Sequence, residues 1–444
     1  MKTYKLLENI FCIIIIVLVI LIPKESRAIP AFSRQTMLPC SSCHTIFPEL
    51  NAFGRYFKLS GYTLVGKIQD SDTSKNVLLN LVKNPPVSVM LQATYTNTLK
   101  DQPGTQNNNI SFPQQISLFF GGKIAPHIGG FIQVSYEDQG AAFGIDNIDF
   151  RYSNQAKLGS QSLLYGVTLN NNPTVQDIWN STPGWGFPYA SSSVAPSPVA
   201  STLIEGGLAQ RVAGLGAYAL LNNFLYVGFS IYRSAQQGGI HPPDSTSFGI
   251  IKSIAPYWRL AFQKQFNNQY VEIGTFGIST AMYPVGVTGL TDKYTDIGVD
   301  LNYEKSLGKN QLTAHASFIH EKRNLDATFN ANGSLSQFLN LNSFKIVGNF
   351  YLHRHIGFAL GYFSVTGDGD MVLYEPAVFS GSSTGMPDSK GCIFEFNYLP
   401  WLNTKFSVQY VMYNQFNGSK NNYDGAGRNA RDNNSLCVIA WIAF

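Results

Sequence analysis

The chain has 444 residues, a formal net charge of +4, and only 13% charged residues alongside 13% aromatic ones. Soluble domains carry about a quarter charged residues, and nothing here makes the concentrated basic face that a nucleic acid requires. Abundant Asn, Gln, Ser, Thr and Gly give a chain that meets water with neutral polar groups.

Residues 1–28 read as an export signal. Lys2 and Lys5 form a basic start, Ile10 to Ile22 is an unbroken apolar run of 13 residues, and Ser26 and Ala28 are small residues at cleavage-determining positions. The run is shorter than the roughly 17 residues a spanning helix needs. A short membrane anchor is the other reading, but no stop-transfer segment follows. The mature chain is expected to begin near Ile29, outside the cytoplasm, with the charge reduced to about +2 by the same formal count.

The next segment, 29–84, contains Cys40-Ser41-Ser42-Cys43-His44. This is the C-x-x-C-H signature of covalent haem c attachment. Two thiols on one helical turn can each form a thioether to a porphyrin vinyl group, while the adjacent imidazole reaches the iron. A disulfide or a thioredoxin-like pair is the competing reading, but the βαβ setting of such redox pairs is missing. Pro48 suits a first helical turn. Leu50, Phe53 and Phe57 then share one apolar helix face that would lie against the porphyrin, with Gly54 allowing close approach and Gly61 stopping the helix. Arg55 and Lys58 emerge beside that face, either facing solvent or placed to pair with haem propionates. For the sixth iron ligand the candidates are Met37, Met90 and His315; an open or water-bound position is the other possibility.

From residue 85 to 444 the chain reads as one unit. Segments of about ten residues alternate apolar and polar side chains, as when one strand face meets lipid and the other a polar interior. In Tyr294–Glu304, Thr295, Ile297, Val299, Leu301 and Tyr303 share one face, and Asp296, Asp300, Asn302 and Glu304 the other. Sixteen strands are predicted, at 87–96, 113–124, 127–138, 145–154, 161–170, 207–220, 223–233, 255–266, 269–281, 293–305, 310–323, 343–353, 355–366, 389–399, 403–414 and 434–444. Long connections such as 97–112, 171–206, 234–254 and 367–388 follow odd-numbered strands, and short turns follow even ones. The fold class is therefore mainly β: a 16-stranded antiparallel outer-membrane barrel with a small N-terminal α-helical haem domain plugging its lumen. Both termini would be periplasmic and the long loops extracellular. A soluble sandwich or propeller would not place Phe, Ile, Leu and Tyr on the outward face of strand after strand.

The inward acids Glu137, Asp149, Glu272, Asp296, Asp300, Glu304 and Glu395 share a surface with Lys123, Arg151, Arg259, Lys345 and Lys405. This reads as charge compensation around a plug ahead of an iron pathway. Asp368 and Asp370, in a Gly-rich loop, suit turn formation better than iron capture. His353 and His355 flank a short turn. Cys392 is expected to face lipid and Cys437 the lumen, on strands that are not neighbours, so no disulfide joins them.

The stretches IPAFSRQT, CSSCH and FPELNAFGRYFKLSGYTL, between Ile29 and Leu64, resemble the outer-membrane monohaem cytochrome-porin family of iron-oxidising bacteria. The resemblance implies one covalent haem c on Cys40 and Cys43 with His44 as proximal ligand. It also implies an electron-transfer oxidoreductase activity: oxidation of extracellular Fe(II), with the electron passed to a periplasmic acceptor such as a soluble c-type cytochrome or a copper protein. A haem carried in the lumen within reach of the extracellular side would import the electron and leave insoluble ferric iron outside. Two other functions fit the residues: a passive porin with a gating or sensing N-terminal domain, and a haem enzyme acting on a small molecule such as peroxide. A barrel of this size is compatible with a trimer, and no sequence feature decides it.

Overall fold

The computed structural model describes residues 30–64, 86–102, 104–137, 142–182, 184–235, 242–401 and 403–444. The expected signal, the stretch 65–84 and the side chain of Glu137 lie outside the described residues. Among the described residues the dominant element is one antiparallel sheet of seventeen strands, of which the four-residue Phe248–Ile251 is an appendage paired with the last residues of the strand Gln269–Val285. The other sixteen are β1 (Val87–Thr98), β2 (Asn109–Ala125), β3 (Ile128–Glu137), β4 (Ala142–Leu158), β5 (Gln161–Asn170), β6 (Val212–Leu221), β7 (Leu225–Ser234), β8 (Ala255–Phe266), β9 (Gln269–Val285), β10 (Asp292–Leu307), β11 (Asn310–Asn324), β12 (Phe338–Leu352), β13 (Ile356–Gly367), β14 (Ser389–Trp401), β15 (Thr404–Gln415) and β16 (Ser435–Ala443). Each pairs with the next, and β16 returns to β1 from Ser435 opposite Thr98 to Ala443 opposite Met90. A closed sheet has no edge, so the ladder groups find partners within the barrel, the condition for crossing a bilayer with strands.

The alternation seen in the sequence sorts the two faces. On β10, Asp296 and Asn302 are 1% exposed, whereas Ile297 and Val299 are 51% and 50% exposed. The same holds on β12, where Asn349 and Tyr351 are buried and Ile346 and Phe350 exposed. Cys392 lies on the outward parity of β14 beside Phe394, Cys437 is buried on β16, and neither is in a disulfide.

All sixteen predicted strands are present, with two departures in their surroundings. β6 begins at Val212 instead of residue 207. The preceding backbone is captured by wall carboxylates: Leu203 N–H donates to Glu321 Oε2 (2.6 Å) and Ile204 N–H to Asp296 Oδ2 (2.7 Å). The connection from β9 to β10 is short because both strands run on to Val285 and Asp292.

Two segments pack against the inward face of the barrel. Residues 30–64 form helix α1 (Ala31–Thr36), a 3₁₀ turn (Cys40–Ser42), a short antiparallel pair (His44–Ile46 with Glu49–Leu50) and helix α2 (Ala52–Leu59). Two helices of six and eight residues make this segment less helical than the sequence suggested. Pro48 precedes α2 rather than opening it; the N-cap is Asn51, whose side chain accepts from Gly54 N–H (2.9 Å). The second segment is the connection 171–211, expected as an external loop, which turns inward. It carries helix α3 (Pro173–Gln176), and Trp179 donates from Nε1 to Tyr270 Oη at 2.7 Å.

Candidate functional site

The chain 30–64 is tied to the wall at many points. Arg55 pairs with Glu304 of β10 at 2.5 Å, donates to Leu50 O at 2.7 Å and lies 4.2 Å over the Tyr270 ring. Glu49 meets His315 Nε2 of β11 at 2.9 Å and the Tyr189 hydroxyl at 3.2 Å. Burial pushes the Glu49 carboxyl up, but donors from His315, Thr313 and Tyr189 outweigh it and hold the group below its ordinary range. Tyr62 donates to Asp149 Oδ2 (2.6 Å), Tyr218 donates to Leu59 O (2.7 Å), and the Lys58 ammonium donates to Val175 O. The approach is close enough to need glycine: a Cβ on Gly129 of β3 would sit 2.1 Å from Gly61 O.

Between this segment and the wall lies a cavity of about 200 Å³. Its lining is mostly apolar: Phe32, Leu38, Phe47, Leu50, Phe57, Tyr62, Phe119, Phe131, Val175 and Trp185. Cys40, Cys43 and His44 all face it. The 3₁₀ turn brings the thiols together, with Cys43 N–H donating to Cys40 O at 3.1 Å. A Cβ on Gly54 would lie 2.1 Å from Cys43 O, so α2 packs directly on the cysteine turn. His44 Nδ1 bonds Pro48 O at 3.2 Å, which orients the ring. Burial lowers the imidazole pKa against the smaller pull of the Pro48 and Glu49 carbonyls, favouring the neutral, ligating form. Burial also raises both thiols, Cys43 to about 11 with Cys40 beside it adding to the effect.

The other sequence candidates divide. Phe57 and Lys58 line the cavity. Phe53 does not, and is 40% exposed; α2 starts at Ala52, so Leu50 belongs to the extended pair and the expected helical face is broken. Arg55 is committed to Glu304 and is not in the lining. The three axial-ligand candidates are scattered. Met37 is 79% exposed, Met90 is buried on the wall of a different cavity, and His315 is bonded at Nε2 by Glu49 and at Nδ1 by Asn302. Among the described residues, His44 is the only histidine in the lining and no methionine joins it.

Several of the lumen charges compensate one another. Arg151 pairs with Asp149 (2.8 Å), Arg259 with Asp177, Glu272 and Asp300 (3.5, 3.3 and 2.5 Å), and Lys345 with Glu205. Asp370 accepts four backbone N–H groups from Leu335, Ser336, Val372 and Leu373, as a turn residue does. Among the described residues no group of three His, Cys, Asp or Glu side chains is arranged to hold a metal ion.

No protein-family model matches the chain, and no curated protein matches it. Among solved structures it is similar to an outer-membrane protein of Vibrio cholerae, OmpT with loop L8 deleted (8% identity, 81% of this chain and 98% of that one, TM-score 0.42). It is also similar to the outer-membrane channel DcaP of Acinetobacter baumannii (12%, 81% and 96%, 0.45) and to the anion-selective porin of Comamonas acidovorans (11%, 81% and 98%, 0.44). The pairing and the sorted faces define the class on their own: a closed, sixteen-stranded membrane β-barrel of the outer-membrane type. Inside that barrel lies an apolar cavity bordered by a cysteine pair and a histidine. Two thiols on one turn, an oriented neutral imidazole, aromatic walls and the Lys58 cation suit a covalently held porphyrin with its anionic edge. Asn180 adds a buried side-chain oxygen, Oδ1, without a hydrogen-bond partner, on the same lining.

Proposed function

We propose that the protein is an outer-membrane electron carrier that holds one haem c in this cavity and passes electrons from extracellular Fe(II) to a periplasmic acceptor, a soluble c-type cytochrome or a copper protein. The carrying observation is the place of Cys40, Cys43 and His44 on the wall of an apolar cavity within a membrane barrel. Cys40 and Cys43 would fix the porphyrin, and His44 would bind its iron with the ring set by Pro48 O. Phe32, Phe57 and Phe131 exclude water, and Lys58 would meet a propionate. The haem supplies a one-electron couple. Long loops face outward and both termini the periplasm in this reading. The cavity's wall residues Ser88, Phe119, Gly121 and Ala443 lie toward the short-turn end of their strands. A haem in this cavity would sit nearer the periplasmic side than the expected reach toward the extracellular side, which suits delivery to a periplasmic acceptor.

A passive channel with a gating N-terminal segment is the second reading, favoured by the barrel itself. Segments 30–64 and 171–211 are both bonded to the wall, which in this reading is the closed state of the gate. Mixing the purified protein with Fe(II) at acid pH separates the two. Rapid growth of reduced-haem absorption bands supports the carrier; ion conductance without such bands supports the channel.

A further inference from the structure

Trp185 lies on the lining of the haem cavity and also on that of a second cavity of about 350 Å³. The two differ in chemistry. The second is faced by side-chain amides, among them Gln92, Gln115, Gln133 and Asn147. Its carboxylates are engaged: Asp146 accepts from Gln210 (2.7 Å) and Ser135 (3.2 Å), and Glu205 pairs with Lys345 and accepts from Thr202 (2.8 Å). They differ in height as well. On β1 the haem cavity touches Ser88 and the amide cavity Gln92; on β2 the haem cavity touches Phe119 and Gly121, and the amide cavity Gln115; on β16 the pair is Ala443 and Trp441. Each step runs toward the long loops by two to four residues, about 7–13 Å of strand.

Resting on the carrier reading above, we infer that the amide-lined cavity is the chamber in which the hydrated ferrous ion gives up its electron, and that Trp185 is the positioning group through which the electron crosses to the haem. The ferrous ion would lose one electron and become ferric, and an oxidised haem held by Cys40, Cys43 and His44 would supply the one-electron acceptor, so that no proton or ligand need move. Neutral amides suit this task. Hard cations prefer carboxylate oxygen, and a trivalent product would be retained by free carboxylates, whereas amides and water let it leave. An indole is apolar enough to disfavour hydrated metal in the haem cavity, and Trp185 is shared by both linings. Inside the haem cavity the ring continues an aromatic row, Trp185 to Phe119 at 6.2 Å and Phe119 to Phe131 at 5.7 Å.

The test uses the full haem-loaded protein and its Trp185→Phe and Trp185→Leu variants. Three quantities are measured: the rate of haem reduction by ferrous sulfate, the haem midpoint potential, and the absorption spectrum. With potential and spectrum unchanged, Trp185→Leu is expected to slow reduction about tenfold, a barrier increase of about 1.4 kcal/mol, and Trp185→Phe to recover most of the rate. A leucine variant reduced as fast as the wild type, or slowed only in step with a shifted potential, overturns the inference and leaves the carrier reading standing. Wild-type protein that carries haem but is not reduced by Fe(II) overturns the carrier reading itself.

Discussion

Glu304→Gln removes the charge that holds Arg55 against the wall. Both partners are buried, 4% and 11% exposed at the side chain, and 2.5 Å apart. Breaking such a pair from one side costs about 3–5 kcal/mol because a buried cation is left uncompensated. Arg55 keeps Leu50 O at 2.7 Å and the Tyr270 ring at 4.2 Å, so the lower end applies. About 3 kcal/mol corresponds to roughly a 150-fold rise in the undocked population of segment 30–64. Single-channel recording in planar bilayers reads this as more frequent openings, and limited proteolysis reads it as faster cleavage between residues 30 and 64. The double substitution Arg55→Met with Glu304→Leu replaces the pair by apolar contacts and is expected to regain most of the closure. A Glu304→Gln barrel as closed and protease-resistant as the wild type would refute the anchoring role of this pair, and a double variant as leaky as the single one would show that charge is not the cause.

Gly54→Ala puts a methyl group 2.1 Å from Cys43 O; overpacking of about 1–3 kcal/mol is expected to lower the fraction of chains carrying covalent haem, measured as haem absorbance per polypeptide, and unchanged occupancy would count against the packing of α2 on the cysteine turn. Burial, reinforced by Arg151, draws Lys58 down to about 8 from an ordinary value near 10.5. Below pH 8 both docked and released segments hold the proton and the full cost of burying a cation is present; between pH 8 and about 10.5 the released form binds more protons, so docking strengthens as pH rises. In haem-free Cys40→Ser/Cys43→Ser protein this gives slower proteolysis of segment 30–64 toward pH 10, and Lys58→Met should abolish the dependence. With an anionic propionate beside Lys58 the trend should shrink.

The barrel was legible because period-two alternation is local and repeats on strand after strand. Ile297 and Asp296 are sorted to opposite faces by nothing more than parity. The cysteine turn was legible for a similar reason, its chemistry lying in five consecutive residues. Contacts between distant segments were not. Arg55 looks like a free helix-surface cation until β10 brings Glu304 to it, and His315 looks like a spare ligand until Glu49, 266 residues away, takes its Nε2. Phe53 was misplaced because the apolar spacing from Leu50 was read as one helix, while Asn51 caps α2 one residue after Leu50. The inward turn of 171–211 left one readable trace: Trp179, Trp185, Phe187 and Tyr189 crowd a stretch that solvent alone would not favour.

Intact-mass spectrometry of the denatured protein decides whether a single porphyrin is held on Cys40 and Cys43 inside the barrel. The expected mass is that of the mature polypeptide plus one haem, moved to the peptide containing residues 38–50 after digestion and lost in Cys40→Ser/Cys43→Ser. A mass equal to the bare polypeptide, from cells competent to attach haem, would contradict it.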